Sequence, residues 1–176
     1  MIALIYALIA GGACWIVSEL LEMAFGGRTA LTLMLTAAFH LLMVGGIWAA
    51  YAGQGDRKGR LDQVAAAMAS VGYLIVVYPP IAVTRDPSLD YIEFMQSSSL
   101  FWAAGMLVTL GVALFGAAVL RSRSYPATMG LALLACPLVF MAVILLDGPP
   151  LIGFAANVLL GSVFIAMGVR TLRRKP

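Results

Sequence analysis

Long apolar runs alternate with short polar stretches along the whole chain. Six runs are long enough to be membrane helices, since a transmembrane helix needs about 20 mostly apolar residues. They cover residues 2–25, 29–52, 62–84, 99–120, 127–146 and 151–170. The connections are short, and the longest of them, residues 85–98, has the mixed polar and aromatic character of a short helix on the membrane surface. The pattern predicts an all-α fold, with one six-helix transmembrane domain over residues 1–176.

The composition indicates that much of the apolar surface faces lipid. The chain is 62% hydrophobic and 11% charged, whereas a soluble domain is about 45–50% apolar and about 25% charged. A soluble core of this size could not bury so much apolar surface. We therefore expect an integral protein of a bacterial cytoplasmic membrane. The basic residues are not interleaved with aromatic residues, so nucleic acid is not an expected partner.

The distribution of positive charge predicts the orientation. With six spans, only Arg28 and Arg85 fall on one side of the membrane. The other nine cations fall on the opposite side: Arg57, Lys58, Arg60, Arg121, Arg123, Arg170, Arg173, Arg174 and Lys175. Because cytoplasmic loops are enriched in Lys and Arg, both termini are predicted to be cytoplasmic.

The even-numbered spans share a sequence pattern. The segments GGIWAAYAGQGDR, GVALFGAAVLRSR and GSVFIAMGVRTLR align on Gly45, Gly111 and Gly161, and also on Arg57, Arg123 and Arg173. This suggests three copies of a helix pair, although small residues and a final arginine suit any helix that crosses in this direction. Through this pattern, about a third of the chain resembles a broad group of uncharacterised bacterial six-helix membrane proteins that includes relatives of the acid-resistance protein HdeD. The resemblance implies the six-helix fold and no particular function.

Two acids stand inside the first span. Glu19 and Glu22 share roughly one helix face, at the helix end where the dipole disfavours negative charge. Glu22 lies near enough to the loop to reach water and to pair with Arg28. Glu19 lies about two turns deep and is expected to face the bundle or a wet cavity.

Other polar residues lie within the later spans. His40, the one histidine, is near the middle of span two; it is either a functional group or a neutral side chain with one hydrogen-bond partner. Asn157 either links helices or contacts a ligand. Pro79-Pro80 and Pro137 are expected to break or kink their helices.

The remaining acids suggest an outward-facing site. Asp86, Asp90, Glu93 and Asp147 fall on the external side, so we hypothesise an external cavity with an acidic lining, which would favour a cation, an amine or a proton. The candidate ligand-binding or proton-relay residues are Glu19, Glu22, His40, Asn157, Asp86, Asp147 and Tyr78.

No catalytic residue is predicted. Neither Gly-x-Ser-x-Gly, His-Glu-x-x-His nor a phosphate-binding glycine loop occurs in the chain. Cys14 and Cys136 stand in apolar runs without metal-ligand spacing, so neither a metal site nor a cofactor is expected.

Three classes of function stay open. The favoured one is a non-enzymatic membrane module, either accessory, oligomeric, or binding a lipid or hydrophobic ligand. Its partners would be membrane lipid, further copies of the chain, or another membrane protein. The second is a small proton- or cation-linked transporter or channel. The third is an intramembrane enzyme on a lipid or isoprenoid substrate, with a carboxylic acid as general acid.

Overall fold

The computed structural model describes residues 1–174, which form eight α-helices and one short 3-10 turn at Gly55–Arg57. The helices are α1 (Ile2–Phe25), α2 (Ala30–Ala52), α3 (Arg60–Val76), α4 (Tyr78–Arg85), α5 (Tyr91–Ser97), α6 (Ser99–Ser122), α7 (Ala127–Leu145) and α8 (Pro150–Arg173). No strand occurs in residues 1–174. Six segments are long and apolar enough to cross a membrane, with α3 and α4 forming one of them. The predicted all-α bundle of six membrane helices is confirmed.

The bundle has two ends, which we call the N/C end and the far end. The N/C end carries Met1, the turns 53–59 and 123–126, and Arg174. The far end carries the turn 26–29, the segment 86–98 and the turn 146–149. Which end faces the cytoplasm stays a prediction from the positive charges.

The third span is broken where the sequence predicted it. α3 ends at Val76 and α4 begins at Tyr78, because Pro79 and Pro80 lack the N–H groups that would bind the carbonyls of Ile75 and Val76. Pro137, in contrast, lies inside α7, which continues to Leu145.

The six spans form a closed ring. Each span packs against the next one in the chain, and α8 packs against α1. Large side chains fill the interior, among them Phe39, Tyr73, Phe115, Leu133 and Phe164. The outer surface is apolar as well and carries exposed leucines such as Leu41, Leu74 and Leu151, as expected of a bundle solvated by lipid.

Glycines let the helix backbones approach closely. A Cβ atom on Gly12 would lie 2.6 Å from the carbonyl oxygen of Gly161, at the contact that closes the ring between α1 and α8. A Cβ on Gly46 would lie 2.9 Å from the Cα of Leu8. Small residues of α1, α2 and α8 therefore serve packing within the chain. The three-copy repeat stays a prediction.

Hydrogen bonds tie the N/C end together. The Tyr125 hydroxyl donates to the Ala50 carbonyl at 3.1 Å and lies 2.8 Å from the Thr171 hydroxyl. Arg174 donates to the carbonyls of Gly53 and Ser124. Burial raises the pKa of Tyr125, so the phenol stays protonated at neutral pH. These contacts join α2, the α6–α7 turn and α8.

Candidate functional site

The far end contains an open cavity of about 740 Å³. Its wall is formed by the end of α1, the start of α2, α4, the segment before α5 and the first turns of α8. The polar lining residues include Glu22, Arg28, Thr84 and Asp90; the apolar ones include Met23, Leu33, Val83, Leu89, Leu151 and Phe154. We call this space the far-end cavity. Its lining is amphipathic, because both charged and apolar side chains contribute to it.

Two local features fix the turn between α1 and α2 at the edge of the cavity. α1 stops at Gly26, whose φ of 67° is left-handed and suits glycine. Thr29 then begins α2 with a reciprocal cap, because its hydroxyl accepts from the Thr32 N–H while the Thr32 hydroxyl accepts from the Thr29 N–H. The turn between these two helices is therefore fixed, and it places Arg28 at the cavity.

Asp90 is positioned by the helix that it caps. Its Oδ1 accepts hydrogen bonds from the backbone N–H groups of Ile92 at 2.8 Å and Glu93 at 2.9 Å. This is the usual arrangement at a helix N-terminus, where the first N–H groups lack partners within the helix. The cap orders α5 and fixes the Asp90 carboxylate in the cavity wall.

Arg28 links the two sides of the cavity. Its Nε donates to Oε2 of Glu22 at 3.4 Å, and its guanidinium carbon lies 4.1 Å from the centroid of the Tyr91 ring, a cation–π contact. The Glu22–Arg28 contact is the one ion pair within residues 1–174. The acid and the cation that the sequence placed near each other therefore pair, and Arg28 neutralises part of the acidic lining.

Glu19 lies one turn deeper in α1 than Glu22. Its Oε1 accepts a hydrogen bond of 2.8 Å from Nδ2 of Asn157 on α8. The two residues are only 6% and 3% exposed. Glu19 thus faces the bundle, as expected, and Asn157 acts as a link between the first and the last helix.

A second polar contact joins α1 to α2. The Ser18 hydroxyl donates to the Thr32 carbonyl at 3.0 Å and lies 3.0 Å from the Thr36 hydroxyl. Sequence reasoning missed these residues. The available signal is the spacing of Thr29, Thr32 and Thr36, which places three hydroxyls on one face of α2.

His40 lies deeper still, among aromatic rings. Its ring centroid is 5.9 Å from those of Trp15 and Tyr73 and 5.1 Å from that of Phe39. His40 Nδ1 and Trp15 Nε1 have no hydrogen-bond partner among residues 1–174. His40 belongs to the core and does not line the far-end cavity.

Three further candidates, Asp86, Asp147 and Tyr78, also do not line the cavity. Asp86 is exposed and accepts hydrogen bonds from the Ser88 hydroxyl and N–H, which lower the pKa of Asp86. Asp147 is exposed in a turn with a left-handed φ of 50°. Tyr78 is 55% exposed and stacks on Phe101. The structure therefore places Glu22 and Asp90 in the wall of one cavity, with Glu19 one turn deeper in α1, and leaves Asp86, Asp147 and Tyr78 outside the lining.

The lining contains two carboxylates, one guanidinium group and several apolar side chains. Within residues 1–174, no three His, Cys, Asp or Glu residues stand close enough to hold a metal ion. Comparison with protein-family models, curated proteins and solved structures gives no match to this chain.

Proposed function

We propose that the chain is a non-enzymatic membrane module that binds an amphiphile in the far-end cavity. The observation that carries this proposal is the mixed composition of the lining, which combines the charged side chains of Glu22, Arg28 and Asp90 with apolar ones such as Leu33 and Phe154. Ligand sites typically have volumes of about 300–1,000 Å³, mostly apolar walls and a few placed polar groups. In the predicted orientation, the cavity lies at the external surface of the membrane, where lipid head groups are found.

The charges favour a ligand with an ammonium group. The cavity contains two carboxylates and one guanidinium group, and Arg28 already pairs with Glu22. Asp90 uses Oδ1 for the cap of α5, so its Oδ2 is the acceptor that a cationic head group would meet. The apolar chain of the same ligand would pack on the wall formed by α2, α4 and α8.

Native mass spectrometry of the full chain tests this proposal. The probes are phosphatidylethanolamine and its N-acetylated form, which has the same acyl chains without the ammonium group. We expect the parent protein to retain the amine-bearing lipid preferentially, and Asp90→Asn to lower that preference about tenfold, since a charge-assisted hydrogen bond is lost. Asparagine is also a good helix cap, so α5 should remain ordered.

Asp147→Asn is the matched control. It removes the same charge at the same end of the bundle but outside the cavity, and asparagine tolerates the left-handed backbone there. The proposal would be contradicted if the preference for phosphatidylethanolamine over its N-acetylated form fell equally in both variants. It would also be contradicted if the parent protein showed no such preference.

A second candidate is a small proton- or cation-linked transporter. It is favoured by the polar side chains that continue below the cavity, namely the buried Glu19–Asn157 pair and the Ser18 contacts with α2. The test is a pH-dependent flux into liposomes that contain the purified chain. A flux that is lost in Glu19→Gln and kept in Glu93→Gln, an acid outside the cavity, would favour transport over simple binding.

A further inference from the structure

A second open space lies on the outside of the bundle, in the half nearest the N/C end. It has a volume of about 550 Å³ and lies between α7 and α8. Its floor is apolar and its end is basic. We call it the α7–α8 groove, and its main lining residues are Met129, Ile165, Ala166, Val169, Arg170 and Arg173.

The charge of the groove is positive. Arg170 and Arg173 are exposed, no acidic residue lines the groove, and neither arginine is paired with a carboxylate within residues 1–174. Two other arginines at this end already donate hydrogen bonds to the backbone. Arg57 donates to the Arg123 carbonyl, and Arg174 donates to the carbonyls of Gly53 and Ser124. Arg170 and Arg173 are three residues apart on a helix and so present their guanidinium groups on one side.

The length of the groove matches one leaflet of a membrane. Its lining on α8 runs from Ser162 to Arg173, which is about 16 Å along the axis at about 1.5 Å per residue. The hydrocarbon core of a bilayer is about 30 Å thick. The groove as a whole, from Ser162 to Arg173, is therefore about as long as half of that core, and the two arginines form its end nearest the N/C end of the bundle.

From these features we propose that the α7–α8 groove binds an anionic phospholipid of the leaflet at the N/C end. The acyl chain lies along Ile165, Ala166 and Val169, and the phosphate accepts hydrogen bonds from Arg170 and Arg173. Guanidinium groups match phosphate geometry well, and basic pockets between membrane helices are typical of head-group sites. In the predicted orientation this leaflet is the cytoplasmic one. The site is separate from the far-end cavity.

The first test compares phosphatidylglycerol with phosphatidylcholine of the same acyl chains, by native mass spectrometry of the full chain. We expect selective retention of phosphatidylglycerol. The double variant Arg170→Gln, Arg173→Gln should lower that selectivity by about fivefold for each arginine. The control variant Arg60→Gln, Arg121→Gln removes two exposed charges from the same end, outside the groove. An equal loss in the control would overturn the proposal, because it would show attraction to the general charge of this end.

The second test fills the groove without changing charge. Ala166→Phe should displace phosphatidylglycerol, whereas Leu159→Phe, at a lipid-facing position outside the groove, should not. Inorganic phosphate in excess should leave the bound lipid in place, since it lacks the acyl chain. Retention of the lipid by Ala166→Phe, or its displacement by inorganic phosphate, would overturn the proposal in favour of a free-anion site.

Discussion

We expect the hydrogen bond between Glu19 and Asn157 to contribute measurably to the stability of the bundle. In Asn157→Leu, Oε1 of Glu19 loses its donor at 2.8 Å while remaining buried. An unsatisfied buried polar group costs about 1–3 kcal/mol. Hydrogen bonds between membrane helices reach about 1.7 kcal/mol at most in double-mutant cycles. We therefore expect Asn157→Leu to lower the free energy of unfolding by about 1–2 kcal/mol.

A double-mutant cycle isolates the contact. Glu19→Leu should also destabilise the protein, because the Asn157 amide then lacks its acceptor. The double variant Glu19→Leu, Asn157→Leu should cost less than the sum of the two single variants, by about 1 kcal/mol, since both polar groups are removed together. Steric trapping of the unfolded chain in bicelles measures these free energies.

The matched control pairs Glu19→Leu with Ser70→Ala. Ser70 donates to the Val44 carbonyl at the α2–α3 contact, and it shares no hydrogen bond with Glu19, so the two effects should add within about 0.5 kcal/mol. A coupling between Glu19 and Asn157 below about 0.5 kcal/mol, no larger than that of the control pair, would refute the reasoning, as would a stabilised Asn157→Leu variant.

Three further predictions concern packing, the N/C end and the cavity. Gly12→Ala should destabilise by about 1–3 kcal/mol, because the added Cβ would meet the α8 backbone at 2.6 Å; Gly105→Ala, whose nearest neighbouring atom is 3.9 Å away, should be close to neutral in the same unfolding assay. Tyr125→Phe should cost about 1 kcal/mol through the loss of its two hydroxyl hydrogen bonds, and an unchanged unfolding midpoint would contradict this role. Arg28→Gln should loosen α5, because both the ion pair and the contact with Tyr91 are weakened; limited proteolysis should cut residues 86–98 faster, and an unchanged cleavage rate would argue against that anchor.

The sequence could predict the spans because hydropathy and length suffice for them. The runs 2–25 and 29–52 agree with α1 and α2 within a residue, and the α3–α4 break follows from the missing N–H groups of Pro79 and Pro80. The short helix expected in residues 85–98 is present as α5. Each of these features depends on residues that are close together in the chain.

The composition of the site could be predicted only in part. The burial of Glu19 follows from its depth in α1, and the pairing of Glu22 with Arg28 follows from their closeness in sequence across the end of that helix. The partnership of Glu19 with Asn157 depends on the contact between α1 and α8, which no local pattern specifies. For the same reason, the sequence alone does not show that Asp86 and Asp147 stay outside the cavity lining. Nor does it show that Tyr125 contacts α2 and α8 at the other end of the bundle.

The closing of the ring by the first and last helices has a consequence for biosynthesis. Glu19 and Asn157 are 138 residues apart in the chain, and ribosomes add about 5–20 residues per second, so the partner of Glu19 is made roughly 7–28 s after it. During that interval α1 is already in the membrane with a carboxyl group that has no partner on its own helix. Insertion machinery, water or a proton must accommodate that group until α8 is synthesised, so the environment of Glu19 is complete only when α8 has packed against α1.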